Sequence, residues 1–262
     1  MSNKTRRGIG KTDPIDAFRI ASTVLPLSTD RLRKPRGHND IQSALQIMLT
    51  ARDELARERT RAVNALTALL RTIDLGIDAR RALGMKIINQ IASWRSRKEP
   101  LHLATARAEA IRLAQRVRQA HAEILQSDKQ LSNLTAQSPA AGLTNETGIG
   151  PVTAATMLVA WAYPGRLRNE AAFAALAGAS PLPASSGNTV RYRLNRGDRQ
   201  LNRALNVIAM HRTIHDPETQ SYVEKRRTQG KTDREIRRCL KRYLARRIYR
   251  HLNQAAHSAQ RC

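Results

Sequence analysis

Apolar residues recur every three or four positions over two long stretches, and this spacing predicts two long helices. The first starts near Ile41, and the second runs from about Leu101 to Leu134. Both stripes have a period near 3.5, which is typical of a coiled coil, although Arg52 and Arg59 interrupt the first. We expect an arm of two helices that either fold back on each other or pair with another subunit.

Shorter helical patterns flank these stripes. Pro14 fits the first turn of a helix that begins near Asp13, and a proline at 151 is suited to the same position in a later helix. Further helices are expected over 171–179, over 201–212 and from 231 onward. The last has a capping box, Thr232 with Glu235, ahead of its apolar stripe.

The Ser/Pro/Ala/Gly-rich stretch 136–143 marks a boundary between two parts of the chain. We therefore divide the sequence into 1–40, a helical coiled-coil arm over 41–135, and a compact helical C-terminal domain over 136–262. Aromatic residues are only 3% of the chain, so the core is built from Ala, Leu, Ile and Val. The expected fold is mainly α.

The chain is strongly basic, with 46 Lys and Arg against 21 Asp and Glu and a formal net charge of +25. Nucleic acid is the partner that such an excess favours, and arginine forks suit phosphate oxygens. An acidic membrane surface would call for aromatic anchors or a spanning segment, and no run of eighteen apolar residues exists. We expect no membrane partner, and the absence of an apolar leader near Met1 predicts a cytoplasmic protein.

Two groups of basic residues are candidate phosphate contacts. One surrounds a turn near residue 197, and the other lies on one face of the last helix, where the alternative is a solvated face. The candidates are Arg191, Arg193, Arg196, Arg199, Arg203, Arg237, Arg238, Lys241 and Arg242. These residue types do not distinguish RNA from DNA.

Two glycine turns add candidate chemistry. Gly148 and Gly150 precede the helix that starts at Pro151, and backbone N–H groups at a helix start can bind phosphate; a tight turn that binds nothing is the alternative. Ser185-Ser186-Gly187 lies among arginines, which suggests a serine nucleophile aimed at a phosphate, although Ser and Gly also form ordinary turns. The two cysteines, Cys239 and Cys262, support neither a zinc site nor a disulfide framework.

Three blocks, in this order, resemble the insertion-sequence transposases that join an N-terminal RNase-H-like, resolvase-type domain with an Asp-Glu-Asp-Asp set to a C-terminal serine domain. The first block is Gly10 to Ala17, which includes Asp13 and Asp16. The second is Gly148 to Pro151 with Thr153 and Ala154. The third contains Gly178, Pro181, Ser186-Gly187, Arg196 to Arg199, Asn202 and Arg203.

The resemblance implies specific roles. Asp13 and Asp16 would be two of four carboxylates that bind a divalent metal, Mg²⁺, and Ser186 would attack a DNA phosphodiester to form a covalent intermediate. Ser186 is preferred to Ser185 because the family's serine directly precedes a glycine. Members of the family also work with a guide-type non-coding RNA, so the expected partners are DNA, this RNA and further copies of the chain through the arm.

No acidic residue precedes Asp13 in the sequence. We therefore expect residues 1–40 to be the remnant of the RNase-H-like domain in an N-terminally truncated transposase with impaired DNA cleavage and strand transfer. Two carboxylates from one helix are not expected to hold Mg²⁺ stably. The alternative function is a non-catalytic DNA- or RNA-binding protein derived from a transposase.

Overall fold

A computed structural model describes residues 13–28, 32, 40–183, 192–195 and 197–259. The structure is 75% helical, and the part that it describes contains nine α-helices and essentially no sheet. The expectation of a mainly α protein is confirmed. The chain forms two units, residues 1–37 and 38–262. Among the described helices, none is both long enough and apolar enough to cross a lipid bilayer.

The first unit contains one described helix, α1, over Asp13–Val24. It begins where the sequence places it, with Pro14 in the first turn, where a missing N–H breaks no helical hydrogen bond. Asp13 and Asp16 lie in this first turn. Phe18 and Ile20 are each about two-thirds exposed.

The arm consists of two antiparallel helices, α2 over Asp40–Thr72 and α4 over Leu101–Ala136. At 1.5 Å per residue each is about 50 Å long. Arg52, which interrupts the apolar stripe of α2, forms an ion pair with Asp128 of α4, at 2.5 Å from Nε to Oδ1. The helices therefore fold back on each other within one chain, and the interruption is a paired charge.

The tip of the arm is closed by α3, over Met85–Ala92, which the apolar pattern does not predict. Its Ile88 and Ile91 are buried in a hydrophobic cluster with residues of α2 and α4. The Arg107 guanidinium lies 4.9 Å from the ring centre of Trp94 and donates two hydrogen bonds to Glu99. Eight residues are too few to show a clear helical period, which is why the sequence stretch appears irregular.

The C-terminal helices share one larger hydrophobic core, and Leu45 and Leu131 at the base of the arm belong to it. Its middle consists of alanine and aliphatic side chains around two buried aromatic side chains, Phe173 and Trp161. The elements are a 3₁₀ helix over Ala141–Asn145 and five α-helices, α5 over Pro151–Trp161, α6 over Glu170–Leu176, α7 over Arg199–His215, α8 over Pro217–Thr228 and α9 over Asp233–Ala259. Of these, the sequence pattern missed α8, which has no apolar stripe.

A two-stranded antiparallel hairpin lies between α6 and α7. Strand β1 covers Pro181–Pro183 and β2 covers Tyr192–Leu194. Pro181 pairs with Leu194, and Pro183 pairs with Tyr192. The chain segment 184–191, which contains the Ser-Ser-Gly sequence, therefore connects two paired strands.

Candidate functional site

The hairpin is attached to the end of α6 by Asn195, directly after β2. The Asn195 amide N–H donates to the carbonyl of Ser180 (3.1 Å), and Ser180 N–H donates back to the Asn195 side-chain oxygen (3.0 Å). Asn195 Nδ2 also donates to the carbonyl of Ala175, at 2.6 Å. One side chain thus binds a helix-end carbonyl and the strand that enters the hairpin. This fixes where the two strands start and end.

A second asparagine, Asn202 of α7, binds the same helix end. Its Nδ2 donates to the carbonyls of Ala177 (2.7 Å) and Gly178 (3.3 Å), and its Oδ1 accepts a hydrogen bond from Lys241 Nζ of α9 (2.8 Å). These carbonyls follow the last turn of α6, where no helical donor is available. Asn202 therefore joins α6, α7 and α9 at one point.

Lys241 is only 7% exposed. Burial, together with the nearby charges of Arg237 and Arg238, lowers its pKa. An ammonium group in such a place requires a hydrogen-bond acceptor, and Asn202 Oδ1 provides it. The sequence pattern places Lys241 on a phosphate-binding face, whereas the structure places its ammonium at this inter-helix contact.

Two glycines allow the backbones to approach closely here. Gly178 has φ of +65°, a left-handed conformation that favours glycine, and ends α6. Gly197 lies directly against it, and the Asp198 N–H donates to the carbonyl of Leu176 at 2.7 Å. Asp198 also caps α7 by accepting from Leu201 N–H at 2.9 Å. We call the group formed by residues 175–180, Asn195, Gly197, Asp198 and Asn202 the hairpin base.

Replacing Gly197 by alanine is expected to disrupt the hairpin base. A methyl group would lie 2.8 Å from Gly178 Cα and would overlap the Gly178 nitrogen and the Leu176 carbonyl, which are backbone atoms that cannot rotate away. We expect Gly197→Ala to lower the free energy of unfolding by about 1–3 kcal/mol, as measured by urea denaturation. The control is Gly84→Ala, because nothing lies within 4 Å of a methyl group there. Equal stability of the two variants would contradict this close contact.

The predicted nucleophile and several of its predicted neighbours lie outside the described residues. Ser185, Ser186, Arg191 and Arg196 are in this group, and only the backbone of Arg193 is described, on β2. Their roles remain predictions. The structure describes the two ends of the segment that carries the serines and the helices to which these ends are attached.

The described arginines of the two candidate groups lie on the helices that meet at the hairpin base. Arg199 and Arg203 are exposed in the first turns of α7, and Arg203 is within 3.9 Å of Asp53. On α9, Arg237 is exposed, whereas Arg238 and Arg242 are half-buried. Because Lys241 contacts Asn202, this part of α9 lies beside the start of α7. The described members of the two candidate groups, Arg199 and Arg203 on α7 and Arg237, Arg238 and Arg242 on α9, therefore form one cationic area.

Further along α9 the basic residues have structural partners. Arg246 and Arg250 both form ion pairs with Glu170 at the start of α6, at 2.6 and 3.2 Å. Arg247 forms an ion pair with Glu146, at 3.0 Å. The positive face that the helical period predicts is thus divided into a first half near the hairpin base and a second half that holds helices together.

The glycines of the second block form a tight turn before α5. Gly148 has φ of +83°, and a Cβ added there would lie 3.2 Å from the carbonyl oxygen of Ile208 on α7. Gly150 precedes Pro151 as the N-cap and is exposed. This packing requires glycine at 148 whether or not phosphate binds. Phosphate binding at Gly148 and Gly150 remains a prediction.

The two predicted metal ligands lie one turn apart on α1. Asp13 is exposed, and Asp16 forms an ion pair with Arg19 at 3.8 Å. In the described part of the chain, no group of three or more His, Cys, Asp or Glu side chains could hold a metal ion. These residues alone do not fit Mg²⁺, which needs several well-placed oxygen ligands. We therefore derive no chemical step through a metal.

Comparison with known protein families gives two matches. Residues 140–224, which include the hairpin base, match the transposase family of IS116, IS110 and IS902. Residues 1–74, which include α1 and the whole of α2, match a DEDD-type transposase family of IS110. The two matched segments contain the three sequence blocks.

A relative in Streptomyces coelicolor is described as an insertion element IS110 uncharacterized 43.6 kDa protein. The chain is 26% identical to it over 271 residues. The alignment covers 86% of this chain and 66% of that protein, so the chain spans about two-thirds of the relative's length. The aligned part is longer than either matched segment, so the similarity to this relative is not confined to one of them.

Proposed function

We propose that this chain, which matches transposase families of IS110, IS116 and IS902 over residues 1–74 and 140–224, acts on the DNA of an insertion sequence through its serine hairpin. The observation that supports this most directly is the hairpin base. Gly178, Gly197 and Asn202 of the matched block bring the end of α6 and the starts of α7 and α9 together, next to the strands from which the segment with Ser186 leaves and to which it returns. Guanidinium groups in that position suit DNA phosphates.

The proposed chemistry is DNA cleavage and strand transfer with Ser186 as the nucleophile. Its Oγ forms a bond to a backbone phosphorus, the bond from phosphorus to one sugar oxygen breaks, and that oxygen leaves with a proton as a free hydroxyl. The DNA end remains linked to the protein as a phosphodiester until another strand's hydroxyl attacks the same phosphorus and releases the serine. The neighbouring arginines stabilise the negative charge on the phosphoryl oxygens.

The partners that we propose follow from the same reasoning. DNA is the substrate, a guide-type RNA is a second ligand of the basic surface, and copies of the chain associate through the arm. We propose a cytoplasmic location for the protein. We also propose that cleavage by this chain is impaired, because α1 contributes only two carboxylates.

Nucleic-acid binding is expected to weaken steeply as salt is added. Each phosphate contact releases counterions. A plot of the logarithm of the binding constant against the logarithm of the salt concentration therefore has a negative slope, of about 0.7–0.9 per contact. Replacing Arg199 and Arg237 by glutamine should reduce this slope by about two. The measurement is fluorescence anisotropy of a labelled DNA at several salt concentrations.

The matched control for this experiment is Arg112→Gln. Arg112 is also exposed, but its guanidinium donates two hydrogen bonds to Glu109, at 2.6 and 2.8 Å. The control variant should keep the original slope. A binding constant that does not change with salt would exclude this cationic area as the main DNA contact.

A non-catalytic DNA- or RNA-binding protein is the second candidate function. The observation that favours it is the ion pair of Asp16 with Arg19, since one of only two candidate metal ligands already has a cationic partner. Such a protein would show the same salt dependence and would form no covalent DNA adduct.

A further inference from the structure

A cleft of about 270 Å³ lies between α7, α8 and α9, away from the contacts of the hairpin base. Its apolar lining includes Leu240 and Leu244 of α9, and two tyrosine rings, Tyr222 of α8 and Tyr243 of α9, form its sides. Its polar lining consists of Glu218, Thr219, Arg247 and the buried Arg212, which forms ion pairs with Glu146 and Asp216. The volume is just below the range of about 300–1,000 Å³ that is typical of pockets for drug-sized ligands, so it suits a single flat ring system.

The two tyrosines are unusual in this chain. Aromatic residues make up 3% of the sequence, and it has five tyrosines, two of which meet here. Their rings are 6.0 Å apart in an edge-to-face arrangement. Tyr222 is half-buried, and burial raises its pKa, whereas Tyr243 is 53% exposed. A ring that is both exposed and held by a neighbouring ring is a ready stacking surface.

Arginine side chains surround the rings. The Arg226 guanidinium lies 5.2 Å from the ring centre of Tyr222 and donates to its hydroxyl oxygen at 3.1 Å. Arg247 at the edge is held by Glu146. Positive charge beside an aromatic stacking surface is the combination that binds single-stranded nucleic acid, because the charge attracts the backbone while the ring stacks on a base.

The carboxylate of Glu218 adds a hydrogen-bond acceptor. It is exposed in the first turn of α8 and forms no ion pair within the described residues. Bases carry N–H groups on their edges, and a carboxylate can accept from them. The cleft thus offers a ring to stack on, an acceptor for a base edge and cations for the flanking phosphates.

We propose that this cleft binds one unstacked nucleobase of a single-stranded nucleic acid, with the base on Tyr243 and its backbone near Arg226. This inference rests on the proposed function in one respect, since it assumes that the chain binds nucleic acid. The cleft is a further site, separate from the serine hairpin and from the cationic area. Binding there would hold a displaced strand against the C-terminal domain.

The test measures binding of a labelled single-stranded oligonucleotide by the full 262-residue chain. Tyr243→Ala is expected to weaken binding roughly tenfold or more, because a stacking contact is lost. Tyr243→Phe, which keeps the ring, is expected to bind like the original protein. The slope of binding against salt concentration should be the same in all three proteins, because no phosphate contact changes.

A second experiment uses an abasic oligonucleotide, in which the sugars carry no bases. The original protein should bind it as weakly as Tyr243→Ala binds the intact strand, and Tyr243→Ala should bind both strands equally. Tyr243 is half exposed, so the variants should keep their helical circular dichroism, which is recorded for each.

Three results would overturn the inference. Equal binding by Tyr243→Ala and the original protein would exclude base stacking, as would equal binding of the strands with and without bases. A change in oligomeric state of Tyr243→Ala without nucleic acid would show that a second copy of the chain occupies the cleft. If the original protein does not bind the oligonucleotide even at low salt, the result contradicts the proposed function, on which this inference rests.

Discussion

When a subunit with all four family carboxylates, and with alanine at its own serine, is supplied, Ser186→Ala should abolish the covalent link between this protein and DNA, while Ser185→Ala should retain it. Without the hydroxyl no bond to phosphorus forms, so we expect the rate of adduct formation to fall on the order of a thousandfold or more. The two serines are adjacent in the segment between the paired strands, which makes Ser185→Ala a control for any disturbance of the hairpin. Denaturing electrophoresis of labelled DNA after incubation with each protein measures the adduct.

The same experiment tests the contribution of the carboxylates. The 262-residue chain alone is expected to form little adduct, because Asp13 and Asp16 do not by themselves assemble a metal site. Adding a subunit with all four family carboxylates, and with alanine at its own serine, should increase the adduct formed by Ser186. An adduct that survives Ser186→Ala would remove this serine from the mechanism, and abundant adduct from the chain alone would contradict the expected impairment.

Asn202→Ala is expected to cause a large loss of stability at the hairpin base. It leaves the Lys241 ammonium buried without its acceptor and takes the donor away from the carbonyls of Ala177 and Gly178. Leaving a buried polar group without its hydrogen-bond partner typically costs about 1–3 kcal/mol. Urea denaturation should therefore show a loss of this size in the free energy of unfolding.

A double variant identifies the source of this loss. Lys241→Met keeps an unbranched side chain that is one atom shorter and removes the charge, so Asn202→Ala combined with Lys241→Met should recover part of the lost stability. Asn206→Ala is the matched control, because Asn206 lies on the same helix and its side-chain contact is with exposed Met210. If Asn202→Ala unfolds at the same urea concentration as the original protein, the hydrogen bonds of Asn202 do not hold the hairpin base.

The variants proposed here separate effects on stability from effects on function. Ser186→Ala should change chemistry and leave the unfolding curve alone, whereas Asn202→Ala should change both, because the segment with the serine is attached through the helix end that Asn202 binds. Arg199 and Arg237 should affect binding alone. The three groups of variants therefore report on three different properties.

Local sequence determined much of the helical architecture. A period near 3.5 over two long stretches is enough to predict α2 and α4, since each apolar stripe needs a partner to bury it. The capping box of Thr232 and Glu235 is present at the start of α9, with Thr232 N–H donating to the Glu235 carboxylate at 2.9 Å. The sequence pattern did not predict α3 or the two strands, because eight residues and three residues are too few to show a clear period.

Only the tertiary structure decided which charges face other helices and which face solvent. The helical period assigns Arg246, Lys241 and Arg237 to one basic face, but Arg246 pairs with Glu170 from α6, Lys241 binds Asn202 from α7, and Arg237 stays exposed. The acceptors come from segments about 40 to 75 residues away in the chain, so no local pattern shows them. Composition determines that the protein is strongly basic, and packing determines where that charge is free, because a buried cation is stable only where another segment supplies its acceptor.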